Sequence, residues 1–107
     1  MKTLKKKCAT NLEISSDTIA KISAQLRILA NPQRLMIMRC LVNKGALPVY
    51  QIMLETGLKQ STASQSLNLM RMNGLILSER RGKEIWYSIG DDRFIAMLQC
   101  ICCKGSK

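Results

Sequence analysis

Gln60, Ser61, Thr62, Ser64, Gln65, Ser66 and Asn68 crowd one short stretch of the chain with amide and hydroxyl groups. These short side chains donate and accept hydrogen bonds, which is the chemistry needed to read base edges in a major groove. A merely solvated helix face would carry Lys and Glu, which are better helix formers. Threaded among them, Ala63, Leu67 and Met70 recur at i, i+4 and i+7, an apolar stripe that seats a helix on a core and turns the polar positions outward. Downstream, Arg80, Arg81 and Lys83 set positive charge around Gly82, suited to phosphates or the adjacent minor groove.

A second chemistry is that of thiols. Cys100, Cys102 and Cys103 crowd the end of the chain. On a helix Cys100 and Cys103 lie about 60° apart and Cys102 about 100° from Cys103, so two thiolates share a face and a frayed end brings in the third. Three soft thiolates suit trivalent arsenic or a soft metal ion. The alternative is that Cys102 only flanks an apolar stripe, as free cysteine often does. Cys40 lies in an apolar helix and reads as core, while Cys8 stands beside Lys5, Lys6 and Lys7, whose charge stabilises a thiolate. An odd count of five cysteines reads as reduced thiols rather than a disulfide framework. With no histidine, a Ser-His or Cys-His nucleophile and a histidine metal site are excluded, which argues against an enzyme.

These groups need elements to hold them. Ser15, Ser16 or Asp17 caps a first helix with apolar positions at Ile19, Ile22, Leu26 and Leu29. Asn31-Pro32 starts a second, apolar around most of its circumference, which ends at Lys44-Gly45 and belongs in the middle of the domain. A short helix from Val49 to Thr56 stops at Gly57 and turns into the polar helix, a helix-turn-helix pattern. After Asn73-Gly74, the segments Leu75 to Arg80 and Ile85 to Ile89 pair around Arg81-Gly82-Lys83 as a hairpin. Asp91 or Asp92 caps a last helix bearing Phe94, Met97, Leu98 and Ile101.

The fold class is therefore mainly α with a small β-hairpin: a winged helix-turn-helix of five helices plus a two-stranded wing. Residues 1–14 read as a basic flexible tail, 15–103 as the DNA-binding and dimerisation domain, and 104–107 as a C-terminal tail. The formal charge of +10 points to a polyanionic partner, and with no long apolar run that partner is nucleic acid rather than membrane. Lys2, Lys5, Lys6 and Lys7 at one end and Lys104 and Lys107 at the other supply a sequence-blind attraction to phosphate. The basic start lacks an apolar segment of the secretory kind, so a cytoplasmic protein is expected.

The segments LRILANPQRLMIM, LKQSTASQSLNLMRMNGLI and ERRGKEIWYSI, in this order, resemble the ArsR/SmtB winged-helix repressors. The resemblance spans about Ile19 to Ile101. It implies a bacterial homodimeric repressor whose first and last helices form the dimer interface, here Ile19, Ile22 and Leu26 with Phe94, Met97, Leu98 and Ile101. The partners are then a double-stranded DNA operator and a second copy, with no membrane and no required cofactor.

The chain departs from the family at three places. ALPVYQI stands where many members carry a cysteine-rich metalloid motif, and the histidine and carboxylate site of the last helix is missing. Ser66 occupies a position often held by histidine. Some members bind arsenite through cysteines near the C-terminus, which implies that reading for Cys100, Cys102 and Cys103. Others sense persulfides or oxidants by joining a second-helix cysteine to one in the last helix, which implies Cys40 with Cys102 or Cys103. In those members the second-helix cysteine falls at the position of Arg39, and one residue turns a helical side chain by about 100°. The expected function is a sequence-specific repressor released from its operator by arsenite or a soft metal at the terminal cysteines. Persulfide or redox sensing through Cys40, and a winged-helix binding module that senses nothing, are the alternatives.

Overall fold

The computed structural model describes residues 13–106, with side chains as far as Cys102. The expectations for the N-terminal lysines and Cys8, and for the side chains of Cys103, Lys104 and Lys107, fall outside the described residues. The elements run α1 (Ser16–Leu29), α2 (Pro32–Lys44), β1 (Leu47–Pro48), α3 (Val49–Thr56), α4 (Gln60–Met72), β2 (Ile76–Arg81), β3 (Glu84–Ile89) and α5 (Asp92–Ser106). Five helices and a hairpin wing are those anticipated from the periodicities.

Local chemistry sets the helix starts. Ser15 Oγ accepts from the Thr18 amide at 3.2 Å, and Asn31 Oδ1 accepts from the amides of Gln33 at 2.9 Å and Arg34 at 3.2 Å, with Pro32 occupying the first helical position. Each cap satisfies amide donors that have no partner inside the helix. Gly57, at φ 77°, takes the left-handed conformation that ends α3 and lets the chain turn at once into α4.

The wing differs from the expectation in two details. β1 joins the hairpin as a third antiparallel strand in the order β1-β3-β2, pairing Leu47 with Tyr87 and Pro48 with Trp86. Two extended residues are too few to show a period of two, and a proline, lacking an N–H, sits readily only at a sheet edge. The ladder also runs to Arg81↔Glu84, so Arg81 belongs to β2 and the loop is Gly82-Lys83 alone. Gly82 takes φ 66° at the first loop position, as glycine-first two-residue hairpin turns require.

The core is a single cluster centred on α2: Ile37, Met38 and Leu41 pack with Ile52 of α3, Leu67 and Met70 of α4, and Leu75 and Ile76 entering β2. Phe94 joins it at 5% exposure. That corrects the assignment of Phe94 to the dimer interface: the first turn of α5 lies over the core, and its aromatic ring is consumed within its own protomer. Beyond it Met97 and Leu98 are half-buried and Ile101 is exposed, so the face free for a partner begins later along the helix.

Asp91 holds the start of α5. Its Oδ1 accepts from the Arg93 amide and from Arg93 Nε, both at 3.0 Å, and Oδ2 accepts from Arg93 Nη2 at 2.8 Å. The side-chain bond to Arg93 holds the Asp91 carboxyl below the usual carboxylate range, with smaller help from the charge of Lys21 on α1. The folded state thus prefers the ionised carboxylate. Its contribution is present above the ordinary carboxylate pKa and is lost as pH falls through the lowered folded value. Asp91→Ala should cost about 0.5–2 kcal/mol at neutral pH, the usual loss of a helix cap. Thermal unfolding followed by circular dichroism should show that deficit at pH 7, with the two proteins converging in strong acid.

Candidate nucleic-acid interface

The helix α4 is seated by one stripe. Ala63, Leu67 and Met70 are fully buried, which leaves Ser61, Ser64, Gln65 and Asn68 exposed on the other side, Gln60 exposed at the start of the helix and Thr62 at the margin. Ser66 is the exception among the polar residues. At 5% exposure it lies on the buried stripe, three residues from Ala63 and four from Met70, and it cannot reach a base. Its hydroxyl is small enough for the core side of a helix, and the neighbouring polar residues masked that position in the sequence.

The exposed polar face of α4 extends further than its amide and hydroxyl cluster. Arg71 donates from Nη2 to Asn68 Oδ1 at 2.6 Å, continuing the outward stripe one turn beyond Asn68. Arg71 stood outside the sequence reading, although its spacing of three from Asn68 places it on the same helix face. At the other end, Lys59 is the N-cap residue but its side chain makes no capping bond. The first amides of α4 therefore point outward with the positive end of the helix dipole, beside an ammonium group, an arrangement that attracts phosphate.

The wing register divides the basic residues. Arg80 pairs with Ile85 and Arg81 with Glu84, so neighbouring arginines project from opposite faces of the hairpin. Arg81 is engaged on its own face: its guanidinium lies 4.4 Å from the Trp86 ring centroid and bonds Glu79 Oε1 at 3.2 Å. Ile85 and Tyr87, on the face of Arg80, line a cleft of about 280 Å³ with Tyr50, Ser64 and Lys83. The side of the wing turned to α4 is thus the side of Arg80, with Lys83 at its tip.

The thiols fall into two environments. Cys40 is buried, and burial raises its thiol pKa, reinforced by the charge of Glu55 and opposed by Lys44 and Arg39. Cys100 and Cys102 are exposed on α5. Cys102 lines a groove of about 480 Å³ between α2 and α5 with Leu35, Arg39, Val42 and Leu98, and Cys40 is not among the lining residues. The structure brings Arg39, not Cys40, to the groove of Cys102. Among the described residues no three Cys, Asp or Glu gather to hold a metal ion.

A polar helix bedded on an apolar core, a tight turn from the helix before it, and a basic hairpin on the same side define a winged helix-turn-helix DNA-binding domain. The family model "Bacterial regulatory protein, arsR family" matches residues 31–78, from the cap of α2 into β2. The chain is 36% identical over 85 residues to the HTH-type transcriptional regulator NmtR of Mycobacterium tuberculosis, covering 79% of this chain and 70% of that protein. It belongs to the arsR family of bacterial DNA-binding transcriptional regulators, and it is not an enzyme. Among solved structures, the homodimeric winged helix-turn-helix domain of Mb0332 from Mycobacterium bovis superposes with a TM-score of 0.76 at 26% identity, over 91% of this chain and 92% of that one. The antimony-specific transcriptional repressor AntR matches with a TM-score of 0.78 at 25% identity, over 91% and 87%.

Side chains on the two faces of α4 should behave differently on replacement. Gln65→Ala should cost about 1–3 kcal/mol on a cognate duplex and little on random DNA, whereas Lys83→Ala should weaken both and lower the salt slope by about one. Ser66→Ala should leave the ratio of cognate to random affinity unchanged. Fluorescence anisotropy titrations at two salt concentrations measure all three, and equal losses on both duplexes for Gln65→Ala would remove that residue from base reading.

Proposed function

We propose that the chain is a homodimeric, sequence-specific repressor that leaves its operator when a thiol-directed effector, arsenite or a comparable soft ion, reacts at Cys100, Cys102 and Cys103. The observation that carries the effector reading is the exposure of Cys100 and Cys102 on α5, with Cys102 opening into the α2–α5 groove. A thiol on the surface is open to a dissolved reagent, whereas a buried one is shielded from it. The likeness to a repressor described as antimony-specific supports the same soft-ion chemistry.

The redox alternative pairing Cys40 with Cys102 or Cys103 draws less support. Cys40 is buried, its thiol is held protonated by its surroundings, and it does not share the groove of Cys102. A one-residue offset on α2 accounts for this, because it turns the side chain about 100° from the direction of Arg39.

The dimer reading rests on apolar surface. Ile19 is 53% exposed, Leu26 40% and Ile101 61%, values that a stable small domain lowers by covering such residues with a second copy. Two recognition helices one DNA turn apart also require a twofold axis. Sedimentation equilibrium at micromolar concentration should return a dimer, and Ile101→Glu should shift it toward monomer. A monomeric wild-type protein that still binds its operator tightly would eliminate this reading.

Release is testable in gel-shift titrations on the promoter beside the coding gene, with arsenite, trivalent antimony and a persulfide donor added separately. An effector that favours the released state by about 3 kcal/mol weakens binding roughly a hundredfold. The variant with Cys100, Cys102 and Cys103 all replaced by Ser should bind DNA normally and ignore arsenite, while Cys40→Ser should respond as wild type. Loss of response in Cys40→Ser, with mass spectrometry finding Cys40 joined to a terminal cysteine, would establish redox sensing instead. Indifference to all three reagents would mark a winged-helix module without a sensor.

A further inference from the structure

Gln25 is 2% exposed, an unusual burial for an amide side chain. It sits on α1 between Ile22 and Leu26 of the proposed dimer face, and its Nε2 donates to the carbonyl of Asn73, 48 positions away, at 2.8 Å. Asn73 is the C-cap of α4. Three carbonyls of that last turn have partners of their own: Leu75 N bonds Met70 O at 3.0 Å, Gly74 N bonds Arg71 O at 3.1 Å, and Asn73 Nδ2 bonds Leu69 O at 2.9 Å. Gln25 takes the carbonyl of the C-cap itself. Among the described residues no other hydrogen bond joins α1 to α4.

The amide is a poor choice for stability alone. Its Oε1 is buried with no hydrogen-bond partner, and an unsatisfied buried acceptor carries a penalty that methionine, of similar length, would avoid. What methionine lacks is direction. The stripe of Ala63, Leu67 and Met70 holds α4 by apolar contact, which is nearly indifferent to small rocking or sliding of a helix. A hydrogen bond weakens steeply with misalignment. At one end of α4 it therefore resists changes of helix angle that would displace Ser61, near the other end, and Gln65, at mid-helix.

We propose that Gln25 is a positioning residue for DNA recognition, which fixes the C-terminal end of α4 to the helix carrying the dimer face, so that dimer geometry sets the spacing and tilt of the two DNA-reading helices. The inference rests on the proposed homodimer. It assigns Gln25 no contact with DNA and no part in the dimer interface, since its side chain is enclosed within the protomer.

The test uses the full chain and a palindromic duplex obtained by selecting wild-type protein against random sequences, with half-sites at the selected spacing and lengthened by one base pair. Wild type should lose about tenfold or more in affinity on the lengthened duplex, because one base pair rotates and shifts a half-site relative to a rigid pair of helices. Gln25→Met and Gln25→Leu should remain dimeric with a thermal midpoint close to wild type. They should bind the selected duplex several-fold more weakly, and lose no more than about threefold when the spacing changes, because loosened helices follow either spacing. Wild-type spacing discrimination in both variants would overturn the proposal. So would an equal loss of affinity on every duplex, random DNA included, accompanied by a lower thermal midpoint, since that marks a structural role only. A wild-type dimer with unaltered discrimination in the variants sinks this inference alone. A monomeric wild type that binds an isolated half-site as tightly as the full duplex sinks the dimer reading, and this inference with it.

Discussion

Which side of α4 is buried decides which of its side chains remain free to meet DNA. A helix repeats about every 3.6 residues, so burying Ala63, Ser66, Leu67 and Met70 commits Ser61, Ser64, Gln65 and Asn68 to the opposite side. The core therefore acts as the reference surface for recognition. α2 lies in its middle and contributes Ile37, Met38 and Leu41, while Ile52 of α3 fills the angle of the helix-turn-helix. Gly57 lets α3 and α4 meet across a turn of only three residues, Gly57 to Lys59.

The wing obeys a period of two, which sorts its charges by a different rule. Lys83 shares a cleft with Ser64 of α4 and Arg80 lies on the strand face of Ile85 and Tyr87, whereas Arg81 is occupied by Glu79 and Trp86 on the other face. Exposed ion pairs of this kind add little stability. Their effect is on direction: Arg81 stiffens the hairpin that presents its neighbour. With the unfilled N-terminus of α4 beside Lys59, positive potential flanks the polar reading face at both ends, and phosphate contacts of that type orient a protein on DNA without specifying sequence.

The helix α5 divides into two parts with different duties. Its first turn is fastened by the Asp91 cap and by Phe94 in the core. Further on, half-buried Met97 and Leu98, exposed Ile101, and the thiols of Cys100 and Cys102 face outward or into the α2–α5 groove. Exposed apolar surface and exposed thiols thus share one stretch of helix. In the proposed dimer a reaction at the thiols would bear on the surface that spaces the two recognition helices, and only a few kcal/mol of differential binding are needed to couple such sites.

Much of this was legible in the amino-acid sequence because helix and strand periods, caps and turn glycines are local. The spacing of Ala63, Leu67 and Met70, the Asn31-Pro32 start, the Gly57 turn and the capping Asp91 each act within a few residues, and each appears in the fold as read. The tertiary structure decided what depends on contacts between distant segments. Ser66 and Phe94 are buried because the core reaches further around α4 and α5 than their neighbours in sequence reveal. Ladder register, set by the partner strand, separated Arg80 from Arg81 and recruited Leu47 and Pro48 as a third strand. Cys40 is buried, as its apolar helix suggested, but that Arg39 faces the groove of Cys102 depends on α5 packing opposite. Gln25 had no local signature at all: a lone amide on an amphipathic helix acquires meaning only when folding places the carbonyl of Asn73 within its reach.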